Sequence, residues 1–298
     1  MNIALPNFVI AGAPKAGTSS VHGWIADHPQ AVGSTEKETY FFVDPNTHMY
    51  RKDANVTHGL DKYSAYFPVP STHNPTVVLE STPSYLYYET ALNGIASLPT
   101  KPKCLFILRE PSAQIYSLYQ YFKNNWDWIP YDQSFSDYLK SVRESNANYK
   151  GNEIAENAIK YGCYVDYLIR WREKLGEDRI LVLTFDELKR DEKKFTKQIA
   201  RWLGLDPDFY DSYDFPRDNE TYTAKSVGLQ RLNIAVRSKL PKGRLYNWVK
   251  SMYRQVNTAK PKGPSDDERH IIDELKEEFV RANSRLANEF GLDLGNWY

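Results

Sequence analysis

The nine residues Gly12-Ala13-Pro14-Lys15-Ala16-Gly17-Thr18-Ser19-Ser20 have the composition and spacing of a loop that grips an oxyanion. The two glycines let the backbone turn its N–H groups toward a ligand, and Thr18, Ser19 and Ser20 add hydroxyl donors at the same point. A loop that binds a magnesium-bound triphosphate reads G-x-x-x-x-G-K-[ST]. Here the glycine spacing is kept, Thr18 fills the lysine slot and Lys15 stands three residues earlier. That position suits the bridging oxygen of a leaving group better than terminal phosphates held on a metal. A glycine-rich turn with a solvated lysine would have the same composition. The flanks favour the oxyanion site, because the apolar run Phe8-Val9-Ile10-Ala11 enters the loop and a helical pattern, Thr18 to His28, leaves it with Val21, Trp24 and Ile25 on one face.

The elements that must position this loop are an alternation of strands and helices. Near-continuous apolar runs at Phe8–Ala11, Thr76–Leu79, Lys103–Leu108 and Arg179–Thr184 read as strands covered on both faces. Pro111 sits where a first-turn proline opens a helix through Leu118 and Phe122. Helical patterns follow at Tyr161–Leu175, Glu192–Leu203, Leu245–Val256 and Asp266–Phe290, the last with Ile271, Leu275 and Phe279 as a stripe to pack on the sheet. The expected fold is α/β, a P-loop-like central parallel sheet flanked by helices, as a single domain over residues 1–298, with ligands beyond the carboxyl ends of the strands.

With these elements in place, the sequence resembles the sulfotransferases that use 3′-phosphoadenosine 5′-phosphosulfate (PAPS), including bacterial sulfotransferases and the heparan sulfate O-sulfotransferase group. Pro14 to Ser20 is similar to their first nucleotide motif, and Leu108-Arg109-Glu110-Pro111-Ser112-Ala113-Gln114-Ile115-Tyr116-Ser117 to their second. The resemblance continues through Tyr161-Gly162-Cys163-Tyr164 and Ile180 to Leu188 and ends at Gly291 to Trp297. It implies that Lys15, Ala16, Gly17, Thr18, Ser19 and Ser20 bind the 5′-phosphosulfate, and that Arg109 and Ser117 bind the 3′-phosphate. Arg109 ends an apolar strand, where a guanidinium can give a phosphate two parallel hydrogen bonds. Glu36-Lys37-Glu38-Thr39-Tyr40-Phe41-Phe42 resembles the glutamate loop of the heparan enzymes, with Tyr40 in place of a histidine. The resemblance makes Glu38 the general base, typically worth about 10²–10⁴-fold, and Lys15 the stabiliser of the leaving group. The family's strand lysine falls at Ser81, so another cation such as Lys37 is a candidate substitute. Lys262-Gly263 matches a Lys-Gly lid over the cosubstrate phosphate.

The expected reaction is in-line sulfuryl transfer from PAPS to a hydroxyl acceptor, a carbohydrate or glycolipid, releasing adenosine 3′,5′-bisphosphate. The alternatives are a magnesium-dependent nucleotide kinase with a degenerate loop and an inactive nucleotide-binding module. Clusters such as Tyr85-Leu86-Tyr87-Tyr88 and Trp126-Asp127-Trp128 suit a stacked sugar or a packed core equally. Formal net charge is zero, yet residues 221–265 hold ten Lys and Arg and no Asp or Glu, which allows an anionic partner or peripheral membrane contact. The six histidines and two cysteines lack metal-ligand spacing, so no metal is expected, and Cys104 and Cys163 read as buried thiols. No nucleic-acid partner is expected. The N-terminus lacks the pattern of a secretory signal, which gives a cytoplasmic expectation.

Overall fold

A computed structural model describes residues 4–67, 74–216 and 263–298, with the short stretches 223–224, 228–229 and 258–259 and residue 236. Its centre is a five-stranded parallel sheet in the order β2-β3-β1-β4-β5, formed by β1 (Phe8–Gly12), β2 (Ala31–Gly33), β3 (Val77–Ser81), β4 (Lys103–Leu108) and β5 (Ile180–Thr184). Each of the four apolar runs falls on a strand, with β1 running on to Gly12 and β3 to Ser81. The fifth strand, β2, has three residues and no apolar run of its own, so periodicity gave it no signal.

Every residue of β1 and β3 is buried, as a strand covered on both faces requires. Alternation sorts the side chains of β1. Phe8 and Ile10 join Val21, Ile25 and Ile199 beneath helices Thr18–Ala26 and Glu192–Leu203, whereas Val9 and Ala11 join Phe106, Leu168 and Trp171 on the opposite face, where helices Glu89–Ala96 and Tyr164–Leu175 pack. The pairing of β1 with β4 shifts register between Ile10 and Gly12, at the point where the chain leaves the sheet for the loop.

Three expectations are corrected. The Tyr161–Leu175 helix is two helices, Ala158–Gly162 and Tyr164–Leu175, divided at Cys163 with ψ 63°; a Cβ on Gly162 would stand 2.6 Å from the Phe279 ring, so the break lies where two helices approach closely. The Asp266–Phe290 helix buries Leu275, Phe279 and Leu286 mainly against the Pro111–Tyr121 and Tyr164–Leu175 helices, not against the sheet. Its start is fixed by a reciprocal cap in which Ser265 Oγ accepts from Glu268 N at 3.2 Å and Glu268 accepts from Ser265 N at 2.9 Å. Both cysteines are free thiols, but only Cys104 is fully buried, because Cys163 lies at the helix break. The Leu245–Val256 pattern lies outside the described residues. Among the described residues no helix is long and apolar enough to cross a membrane.

Candidate active site

Lys15, Arg109, Lys37 and Glu38 gather at the carboxyl edge of the sheet. The loop leaves β1 through Gly12, where a Cβ would stand 3.0 Å from both Leu86 Cβ and Phe106 Cδ1. It then passes through two left-handed residues, Lys15 (φ 64°) and Gly17 (φ 80°). At Gly17 a Cβ would come within 2.6 Å of Leu188 Cδ2, so this position needs glycine for both conformation and space. The helix that follows starts at Thr18 with no side-chain cap and no acidic residue in its first turn. Its N–H groups therefore keep their demand for an acceptor, and Thr18 is buried while Ser19 and Ser20 are partly exposed beside them.

The second motif braces the first. Gln114 Nε2 donates to Pro14 O at 3.0 Å and Arg109 Nη1 donates to Lys15 O at 3.3 Å, while Ala13 N donates to Ile107 O on β4 at 2.7 Å. Arg109 lies 5.2 Å over the Phe185 ring, and its carbonyl accepts from Tyr164 OH at 2.9 Å. Glu110 caps the Pro111–Tyr121 helix, accepting from Ser112 N at 2.9 Å and Ala113 N at 2.8 Å. One helix start is thus filled by a carboxylate and the other, behind Lys15, is left open. Ser117 is partly exposed, on the helix Pro111–Tyr121 that follows Arg109.

Glu38 enters from the loop after β2. Its Oε1 accepts from Lys37 Nζ at 2.7 Å and its Oε2 accepts from the Tyr40 hydroxyl. Tyr40 holds a left-handed backbone (φ 53°), with its N–H on Thr82 Oγ1 at 3.4 Å. Burial raises the Glu38 carboxyl, but the charge and hydrogen bond of Lys37, the Tyr40 hydroxyl and the Lys15 charge together hold it below its ordinary value. Burial and then Arg109 depress Lys15 to about 8, against an opposing pull from Glu38. The Lys15 ammonium stands 4.3 Å over the Tyr121 ring. Lys15, Arg109 and Glu38 therefore share one electrostatic neighbourhood, although 71 residues separate Glu38 from Arg109 in sequence.

Two groups escaped the sequence reading. His22 Nδ1 lies 2.7 Å from Ser81 Oγ and is depressed to about 3, by burial first and then by Lys37, which leaves the ring neutral. Its only sequence signal is a spacing of four from Thr18, which puts both on one helical face. Glu80 is fully buried on β3 and raised to about 7 by burial; Oε1 accepts from Thr82 at 2.6 Å and Thr39 at 3.0 Å, and Oε2 has no hydrogen-bond partner. Lys262 lies outside the described residues. Gly263 is exposed, and no described atom lies within 4 Å of where its Cβ would be. Among the described residues no three His, Cys, Asp or Glu side chains cluster as metal ligands.

A lysine-bearing glycine loop at the end of the central strand, with an open helix start behind it, defines a P-loop-like α/β protein. A family model described as a sulfotransferase domain matches residues 5–260, and the chain belongs to that family. Human bifunctional heparan sulfate N-deacetylase/N-sulfotransferase 2 is 26% identical over 208 residues, 68% of this chain and 22% of that protein. The human enzyme 3 of the same description is 27% identical over 210 residues, 69% of this chain and 23% of that protein. The chain thus spans about a fifth of the length of these relatives. A crystal structure of a sulfotransferase from Alicyclobacillus acidocaldarius has the same fold, with a TM-score of 0.69, 22% identity and 99% of each chain covered.

Proposed function

We propose that this protein moves a sulfuryl group from PAPS to a carbohydrate or glycolipid hydroxyl by in-line displacement. The observation that carries the reading is the convergence of Lys15, Arg109 and Glu38 at one open helix start. The acceptor oxygen attacks sulfur on the side opposite the leaving phosphate, and Glu38 takes the hydroxyl proton. The sulfur–oxygen bond to the 5′-phosphate breaks, and Lys15 with the N–H groups of the loop meets the charge left on that phosphate oxygen. Arg109 and Ser117 hold the 3′-phosphate, with Arg109 also tying the loop through the Lys15 carbonyl.

The carbohydrate reading draws on the names of the relatives and on an aromatic run beside Lys15. Tyr121, under the lysine, lies 6.5 Å from Trp126, which stacks on Trp128 at 5.2 Å and is 40% exposed. Such a face can take an apolar sugar face. The Tyr85–Tyr88 cluster, by contrast, is buried core. A saccharide amine is a second reading, favoured by the N-sulfotransferase names of the relatives.

The test is transfer of ³⁵S from labelled PAPS to a panel of glycolipids, unsulfated heparan backbone and its N-deacetylated form. Lys15→Ala is expected to reduce turnover by about 10²-fold or more, and Glu38→Gln to retain binding of adenosine 3′,5′-bisphosphate while losing transfer. Wild-type turnover in both variants would refute the site. Stabilisation by ATP only with magnesium would favour the kinase reading, and bisphosphate binding without transfer to any acceptor would favour the inactive module.

A further inference from the structure

Lys37 is held at the reacting centre from two directions. Its carbonyl accepts from Ser81 N at 3.3 Å, which ties the Glu38 loop to the end of β3 beside β1. Its ammonium donates to Glu38 Oε1 at 2.7 Å, with the side chain 23% exposed. The end of β3 itself supplies no cation, because Ser81 is buried and its hydroxyl is engaged by His22. The charge of Lys37 reaches Glu38, Lys15 and His22, so its field covers the space that the transferring group would cross. Among the described residues, the charged and titratable groups facing Glu38 are Lys15 from the loop, His22 from the helix Thr18–Ala26, Lys37 and Tyr40 from its own segment, and Glu80 from β3.

In the resting enzyme this ammonium is compensated by the carboxylate it touches. During transfer the acceptor O–H bond breaks and its proton goes to Glu38, the new oxygen–sulfur bond forms, and the electron pair of the old sulfur–oxygen bond stays on the phosphate. Each increment of proton transfer removes negative charge from Glu38 and leaves Lys37 less compensated. We propose that Lys37 is a catalytic cation, masked by Glu38 at rest and released to the sulfuryl oxygens as Glu38 takes the proton. The inference rests on the sulfuryl-transfer reading above. Its force is that the interaction grows between ground and transition state, which is the only kind that accelerates the chemical step. A lysine that merely held Glu38 in place could be replaced by any hydrogen-bond donor.

Lys37→Gln keeps a donor and removes the charge, and Lys37→Arg keeps both. Transfer is measured from labelled PAPS to unsulfated heparan backbone and its N-deacetylated form, with bisphosphate binding by calorimetry. The expected result is a kcat for Lys37→Gln lower by about 10²-fold, bisphosphate affinity within about threefold of wild type, and recovery of at least a tenth of the activity in Lys37→Arg. The acid limb of kcat/KM in Lys37→Gln moves to higher pH, because the strongest influence lowering Glu38 has gone. Wild-type kcat in Lys37→Gln, or an arginine variant no better than the glutamine one, overturns the proposal and leaves the sulfuryl-transfer reading intact. Wild-type enzyme that transfers nothing to either probe refutes that reading for these acceptors and takes the inference with it.

Discussion

The Lys15 ammonium is charged at a cost, and an anionic ligand should relieve that cost in a way calorimetry can count. Burial and Arg109 bring Lys15 from an ordinary 10.5 to about 8. That displacement corresponds to about 3 kcal/mol held against the charged form in the ligand-free protein. The sign follows from linkage: a base depressed in the folded state makes stability rise with pH between about 8 and 10.5, where the unfolded chain holds a proton that the folded one has released. A phosphate oxygen placed against the ammonium reverses the depression. If binding restores the ordinary value, Lys15 at pH 9 goes from about 0.1 protonated to nearly 1, an uptake of about 0.9 proton, against about 0.1 at pH 7. The assay is calorimetry of adenosine 3′,5′-bisphosphate binding at both pH values, in buffers that differ in ionisation enthalpy, with Lys15→Met as the control. The reasoning fails if wild type takes up less than about 0.2 proton at pH 9, or if Lys15→Met takes up as much as wild type.

Three further outcomes are expected. Glu80→Gln should abolish a loss of stability of about 3 kcal/mol that wild type shows as pH rises from 4.5 through 7, because a buried acid raised to about 7 resists the ionisation that the unfolded chain accepts; denaturant unfolding of both proteins at pH 4 and 8 checks it, and equal slopes would count against an ionising Glu80. Gly17→Ala should destabilise by about 1–3 kcal/mol and lose bisphosphate binding, since φ is 80° and a Cβ would lie 2.6 Å from Leu188 Cδ2; thermal unfolding and calorimetry would expose the error if both stayed at wild-type values. Tyr40→Phe should raise the acid limb of kcat/KM without altering bisphosphate affinity, because it deletes one hydrogen bond that lowers the Glu38 carboxyl; an unmoved limb would place the active base elsewhere.

The parts of the fold legible in the sequence are those written in consecutive residues. β1 with its loop, and β4 with Arg109 and Pro111, each combine an apolar run with a turn or cap signal inside about a dozen positions, and the structure reproduces them. What could not be read depends on register. Ser81 meets His22 only because β3 pairs with β1 from Phe8↔Leu79 to Ile10↔Ser81 while the helix after the loop folds back over them, a contact across 59 residues. Glu80, inside a strand pattern, looks like an exposed charge until both sheet faces prove to be covered. β2 is too short for periodicity, yet it sets where the Glu38 loop begins. The aromatic cluster at Tyr85–Tyr88 and the pair Trp126 and Trp128 are alike in composition, and only packing makes one core and leaves the other partly open.

The basic groups of the site are graded by surroundings rather than by residue type. His22 is partly buried with a hydroxyl for company and stays neutral, so it adds no charge at neutral pH. Lys37 is half-compensated through a carboxylate that Tyr40 also holds. Lys15 sits over a tyrosine face with Arg109 on its own carbonyl, and the opposing pull of Glu38 does not restore its ordinary basicity. An anion at the loop would therefore offset the burial and the Arg109 charge that disfavour the charged form of Lys15. Ligand charge should then bind first at the loop. Proton transfer to Glu38 would change the balance afterwards, which orders recognition before chemistry through the placement of three side chains.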